Sequence, residues 1–201
     1  GKALGESGDF QRAAEAFDRS IDRSPRGLYY LARGNLEFSQ GQFSEAIKYY
    51  NQGLEQDDQR GELLINRGMA HQERKETSAA IESYHAAREL ELSSGLDYRV
   101  AMNLGKLFMD RGQPTEAAEE FEIAREIRDV TEAHYNLGLA RLEAGLWTGA
   151  VEALEQAIQK APDDVNIRMD RGFAYQQIGE YRQAVQQYEE AIDLSPHNTD
   201  L

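Results

Sequence analysis

The chain has 201 residues, 40% hydrophobic and 29% charged, with a formal net charge of -14 and no cysteine. This composition describes a folded chain and excludes disulfides, thiolate metal sites and thiol nucleophiles. The acidic balance disfavours nucleic acid and anionic membranes, whose phosphates need Lys and Arg, and no apolar run approaches the ~18 residues that membrane insertion requires.

Proline is scarce, at 4 residues, and Ala, Glu, Gln, Arg and Leu recur, which favours helix. No β-branched alternating segment of strand length is present. The first residues, Gly1-Lys2-Ala3-Leu4-Gly5-Glu6, lack a secretion-signal pattern. A cytoplasmic location is the leading expectation, with a periplasmic or other one as the alternative. Along the chain the strings Arg33-Gly34-Asn35 and Arg67-Gly68-Met69 come first, then Leu104-Gly105 and Leu137-Gly138, then Arg171-Gly172-Phe173. The glycines at 34, 68, 105, 138 and 172 are separated by 34, 37, 33 and 34 residues. A second series, Ala13, Ala46, Ala80, Ala117, Ala150 and Ala184, has gaps of 33, 34, 37, 33 and 34. Both series carry the same irregularity, so both belong to one repeating unit.

This unit resembles the tetratricopeptide repeat, whose period is 34 residues. In that family's frame the glycines above stand at position 8 and the alanines at position 20. The turn glycine of position 15 is Gly8, Gly41, Gly112, Gly145 and Gly179, with Lys75 departing. Position 24 takes Phe17, Tyr50, Tyr84, Phe121, Leu154 and Tyr188, and position 27 takes Ser20, Gly53, Ala87, Ala124, Ala157 and Ala191. Position 32 is Pro25, Pro162 and Pro196, but Asp58, Leu92 and Asp129 elsewhere. The resemblance covers nearly the whole chain. It implies an all-α fold, a right-handed superhelical α-solenoid of stacked antiparallel helix-turn-helix repeats. The chain reads as one domain, 1–201, with repeats at 1–26 (incomplete), 27–60, 61–97, 98–130, 131–164 and 165–198. The third carries an extra loop around Ser93-Ser94-Gly95. Gly1 falls at position 8, and no capping helix follows the last repeat. The expectation is a natural chain longer at both ends, or ends that stack on neighbours.

In this family the first helix of each repeat lines a concave groove. The resemblance implies that positions 2, 5, 9, 12 and 13 face it, with position 6 beside them. Position 5 is Leu31, Ile65, Met102, Tyr135 and Met169; position 9 is Asn35, Met69, Lys106, Leu139 and Phe173; position 12 includes Phe38, Met109 and Leu142. All four methionines fall on this stripe, and flexible thioethers suit an adaptable binding surface. The other reading of these side chains is that they fill gaps between helices. Positions 3 and 10 can serve the core. Position 6 reads Ala32, Asn66, Asn103, Asn136 and Asp170. The three asparagines resemble the asparagine ladder of O-linked N-acetylglucosamine transferases. Each amide offers a donor and an acceptor to a peptide backbone. Arg99 and Lys106 add positive charge, which fits an acidic residue in the partner. The two-carboxylate clamp of heat-shock co-chaperones is not matched, because Leu31 and Asn103 stand where two cations belong.

The leading expectation is therefore a scaffold or adaptor, not an enzyme, that binds a protein or peptide through Asn35, Asn66, Met69, Arg99, Met102, Asn103, Lys106, Met109, Tyr135, Asn136, Leu139 and Phe173. The alternatives are a self-assembling structural protein and a recruiting domain of a larger enzyme. His71, His85, His134 and His197 are too scattered for a metal site, each glycine has a repeat-frame role, and no cofactor is expected. The position-7 arginines, Arg33, Arg67 and Arg171, read as structural, with packed stems and heads paired to acids.

Overall fold

A computed structural model describes residues 2–56 and 58–195. Among them the only regular elements are helices: α1 (Lys2–Arg23), α2 (Gly27–Ser39), α3 (Phe43–Leu54), α4 (Arg60–Glu73), α5 (Thr77–Arg88), α6 (Ser94–Asp110), α7 (Pro114–Ile127), α8 (Thr131–Glu143), α9 (Trp147–Lys160), α10 (Val165–Gln177) and α11 (Tyr181–Leu194). They form two compact units, 1–100 and 101–201, each described by itself. In unit 1, α2 packs on α3 and α4 on α5, and α3 also packs on α4. In unit 2, α8 packs on α9 and α10 on α11, with α7 on α8 and α9 on α10.

The hairpin turns lie where the repeat frame puts them. Gly41, Gly112, Gly145 and Gly179 have φ of 74°, 67°, 72° and 81°, a left-handed backbone that glycine adopts without penalty. Lys75 takes the same conformation, φ 60°, at the one turn without glycine. The turn geometry therefore outweighs the residue preference there. Each hairpin then closes on a matched pair. The aromatic or leucine of position 24 lies flat against the glycine of position 8, and Tyr50, Tyr84, Phe121 and Leu154 are all fully buried. Positions 3 and 10 serve the core from the third repeat onward, where Leu63, Ala70, Val100, Leu107, Ala133, Ala140, Ile167 and Ala174 are all buried, while Tyr29 and Leu36 of the second repeat are only half-buried.

Two features differ from expectation. Gly8 is not a turn; α1 runs unbroken from Lys2 to Arg23. The extra residues of the third repeat are also not a simple loop. α6 begins at Ser94 and runs 17 residues, against 13 in α8, so most of the insertion forms an added helical turn. Leu92 and Leu96 use it to cover Gly61 at the start of α4.

Position 32 is proline or aspartate in every repeat but the third, where Leu92 packs against Gly61 instead. Pro25 and Pro162 follow the ends of α1 and α9, while Pro196 lies outside the described residues. Where Asp58 replaces proline, its carboxylate accepts from the backbone N–H of Gly27 at 2.7 Å and of Leu28 at 3.4 Å, capping α2. Burial raises the Asp58 carboxyl, but these two N–H bonds and Arg26 outweigh it and hold it below the usual range. Asp129 plays a related part, accepting from Lys160 at 2.7 Å and meeting His134 Nε2 at 2.6 Å.

The position-7 arginines form a rule within this fold. Each reaches the position-25 side chain of the preceding repeat: Arg33 donates to Asp18 at 3.0 Å, Arg67 to Asn51 at 3.0 Å, and Arg171 pairs with Glu155. Each also meets position 23: Arg33 lies over the Tyr49 ring, Arg67 bonds Ser83 at 3.1 Å, and Arg171 bonds Gln187 at 3.4 Å. Only two of the three heads meet acids there. Burial lowers the Arg67 guanidinium, whose hydrogen-bond partners, Asn51 and Ser83, are neutral.

Candidate functional site

In unit 1 the helix-A faces of α2 and α4 and the start of α6 converge on a cavity of about 230 Å³. It is lined by Asn35, Phe38, Tyr50, Asn66, Met69 and Arg99. Four of the expected site residues meet here. The polar groups form a relay: Tyr50 donates to Asn35 Oδ1 at 2.9 Å, Asn66 Nδ2 donates to the same oxygen at 2.8 Å, and Arg99 donates to Asn66 Oδ1 at 2.9 Å. Burial pushes the Tyr50 hydroxyl well above its ordinary value, so it remains a donor. Arg99 also touches Met69 Sδ at 3.7 Å and has no ion-pair partner among the described residues. Phe38 and Met69 supply apolar wall, and Phe38 is braced edge-to-face by Phe43, centroids 5.2 Å apart. The site thus offers an uncompensated guanidinium beside an apolar hollow.

Asn66 is already bonded at both ends of its amide, so its first job is to hold Arg99 and Asn35. Leu31, at position 5, is buried in the core of this unit rather than lining the cavity.

In unit 2 the expected residues fall into three groups. Asn103 and Asn136 are half-buried, and their side chains have no partner among the described residues. Their amides are open to a ligand. Met109 is half-buried too, but Met102 is only 4% exposed and belongs mainly to the core. Lys106 is exposed and held by Glu132 at 2.9 Å, which offsets its charge. Tyr135 and Leu139 pack on the core cluster that includes Leu142, Leu154 and Ile167. Phe173 is 43% exposed and meets Trp147 edge-to-face at 6.1 Å.

Tyr135 donates to Asp170 Oδ2 at 2.8 Å. Burial raises the Asp170 carboxyl above its ordinary range, and the Tyr135 bond offsets this only in part. A carboxyl that holds its proton more tightly when folded stabilises the fold below its unfolded pKa. It loses that contribution as pH rises through the folded value. Asp170→Asn, which keeps an oxygen for Tyr135, should therefore melt at a higher temperature than the parent at neutral pH. The gain should shrink as the pH falls to about 4. Thermal melts across this range check the effect; a gain independent of pH would assign it to something other than the charge.

Phe38, Tyr50, Trp147 and Asp170 complete these faces beyond the expected set. Phe38 stood on the stripe at position 12. Tyr50 is a core residue by its position, and only its hydroxyl reaches the cavity. Trp147 opens a helix B and carries no groove signature. Among the described residues no cluster of three or more His, Asp or Glu is placed to hold a metal, and no helix is long and apolar enough to cross a membrane.

One tetratricopeptide-repeat family model matches residues 1–61, 65–130 and 102–165, and a second matches 150–201. No curated protein sequence matches. The chain is similar to solved structures throughout its length. One is YrrB, a TPR protein with an unusual peptide-binding site, at 21% identity and TM-score 0.78, covering 92% of this chain and 95% of that one. Another is MamA, at 24% identity and TM-score 0.74, covering 87% and 94%. A third is the C-terminal part of a TPR repeat-containing protein from Cytophaga hutchinsonii, at 16% identity and TM-score 0.81, covering 97% and 78%. At these identities the likeness shows a shared fold. The chain belongs to the tetratricopeptide-repeat family, whose members are protein-interaction scaffolds.

Proposed function

We propose that the protein, acting as one repeat domain over residues 1–201, captures a peptide segment of a partner on the helix-A faces of its repeats. The observation that carries this reading is the unit 1 cavity, where Arg99 stands without a carboxylate beside Phe38 and Met69. Half-buried guanidinium groups are normally paired, and this chain has carboxylates in excess at a net charge of -14. An unpaired one facing an apolar hollow fits a ligand that brings its own anion. The segment is expected to carry an Asp or Glu next to a medium-sized apolar side chain. In unit 2 the open amides of Asn103 and Asn136 suit a peptide backbone, and Leu139 and Phe173 suit apolar side chains. YrrB, of the same fold, has a peptide-binding site.

A randomised peptide display selection against the full chain tests the reading. Selected peptides should share the acidic–apolar pair and should bind more weakly at high salt. Arg99→Gln should reduce their affinity about 10-fold, the loss of one charge-assisted hydrogen bond. Enrichment of basic or wholly apolar peptides, or equal binding by the Arg99 variant, would overturn it.

A further inference from the structure

The position-7 rule is broken twice, at Leu104 and at Leu137, and the second break leaves a space. Position 7 of the fifth repeat is Leu137, and position 23 is Ala153. Among α7, α8 and α9 lies a cavity of about 190 Å³ lined by Glu122, Arg125, His134, Leu137, Arg141, Glu152, Ala153 and Gln156. Its lining therefore includes positions 7, 11 and 23 of this repeat and position 25 of the preceding one. Those are the positions that surround Arg33, Arg67 and Arg171 elsewhere.

We propose that this cavity is a socket for a guanidinium supplied in trans, an arginine side chain of a protein partner. Three copies of the same surroundings hold a guanidinium from within the chain, and none holds an ammonium. Two shortened side chains, Leu137 for arginine and Ala153 for Tyr49, Ser83 or Gln187, create the room. The acceptors remain. Glu122 is present at position 25, shared by Arg125 and by Arg141, whose bond is 3.0 Å. Glu152 lines the cavity and makes no hydrogen bond or ion pair among the described residues. His134 is 3% exposed and adds a second unsatisfied acceptor. Its Nε2 meets the Asp129 carboxylate at 2.6 Å and so carries the proton, which leaves Nδ1 buried without a partner. The positive neighbours are Arg125 and Arg141, both turned onto Glu122, and Arg141 is further held by the Gly149 carbonyl at 3.0 Å. The uncommitted groups are thus acceptors, and they call for a planar, multiply donating cation. This site uses none of the residues proposed above for peptide capture and does not depend on that reading.

The test is an NMR titration of the full chain with N-acetyl-arginine amide, using N-acetyl-lysine amide at the same ionic strength as the comparison. Saturable shifts should appear at the methyl groups of Leu137 and Ala153, with severalfold weaker response to the lysine probe. Leu137→Arg, which fills the socket from within as the other repeats do, should abolish the response. Glu152→Gln should weaken it severalfold. If Leu137→Arg does not fold, the Glu152→Gln titration decides. The absence of saturable shifts, an equal response to lysine, an undiminished response in Leu137→Arg, or unchanged affinity in Glu152→Gln would each overturn the proposal.

Discussion

Phe121→Ala should destabilise unit 2 by about 3–5 kcal/mol, the cost of emptying a fully buried aromatic site. The ring is 1% exposed and lies against Gly105, where an added Cβ would come within 2.5 Å of Phe121 Cε1. Gly105→Ala meets the same contact from the other side. It should cost about 1–3 kcal/mol by overpacking, even though alanine favours helix over glycine by roughly 1 kcal/mol. The fifth repeat supplies a control, because Leu154 occupies position 24 there against Gly138. Phe121→Leu should therefore cost less than Phe121→Ala, and it should relieve Gly105→Ala when the two are combined. Urea unfolding followed by circular dichroism gives all four values. A neutral or stabilising Gly105→Ala would show that the helices are not held at this approach.

The fold was legible because each of its determinants is a residue type at a fixed interval. A turn with positive φ selects Gly41, Gly112, Gly145 and Gly179, and a tight helix crossing selects glycine opposite a ring. Once four turns set the frame, Lys75 could be assigned to the fifth against its own preference, and it adopts φ 60°. What failed was length-dependent. Gly8 fits the turn pattern but lies inside α1, and the spacing of one glycine does not distinguish a turn from the body of a longer helix. The added turn of α6 has the composition of a loop, Ser93-Ser94-Gly95. Leu92 and Leu96 gain burial over Gly61 only if the segment is helical, and that gain depends on a partner 31 residues away from Leu92.

The candidate site was legible by direction but not by depth. Helical spacing tells which way a side chain points, and it put Asn35, Asn66, Met69 and Arg99 on one face, where they meet. It does not tell how far the neighbouring helix covers that face. Met102 and Leu31 point along the same stripe yet lie under it. Nor does spacing show which polar groups satisfy each other. Asn66, Asn103 and Asn136 look alike in sequence, but the first is bonded at both ends and the other two are open. The guanidinium pairs between repeats were visible as arginines at position 7, while their partners at position 25 emerged only from contacts.

That difference among the asparagines sets the second large effect. Asn103→Ala combined with Asn136→Ala should weaken binding of a selected peptide roughly 10-fold or more. Each lost amide accounts for about 0.5–1.5 kcal/mol, and the two effects add if the sites are independent. Stability should change little, because neither side chain has a partner to strand. Asn66→Ala should behave otherwise. It removes the acceptor of Arg99 and a donor to Asn35, so it should lower the unfolding midpoint as well as affinity. Calorimetric titration and thermal melts on the same three proteins separate the two roles. Unchanged affinity in the double variant with an intact fold would remove the open amides from the binding face. Loss of fold in that variant would make them structural, held by contacts that their half-burial provides rather than by hydrogen bonds.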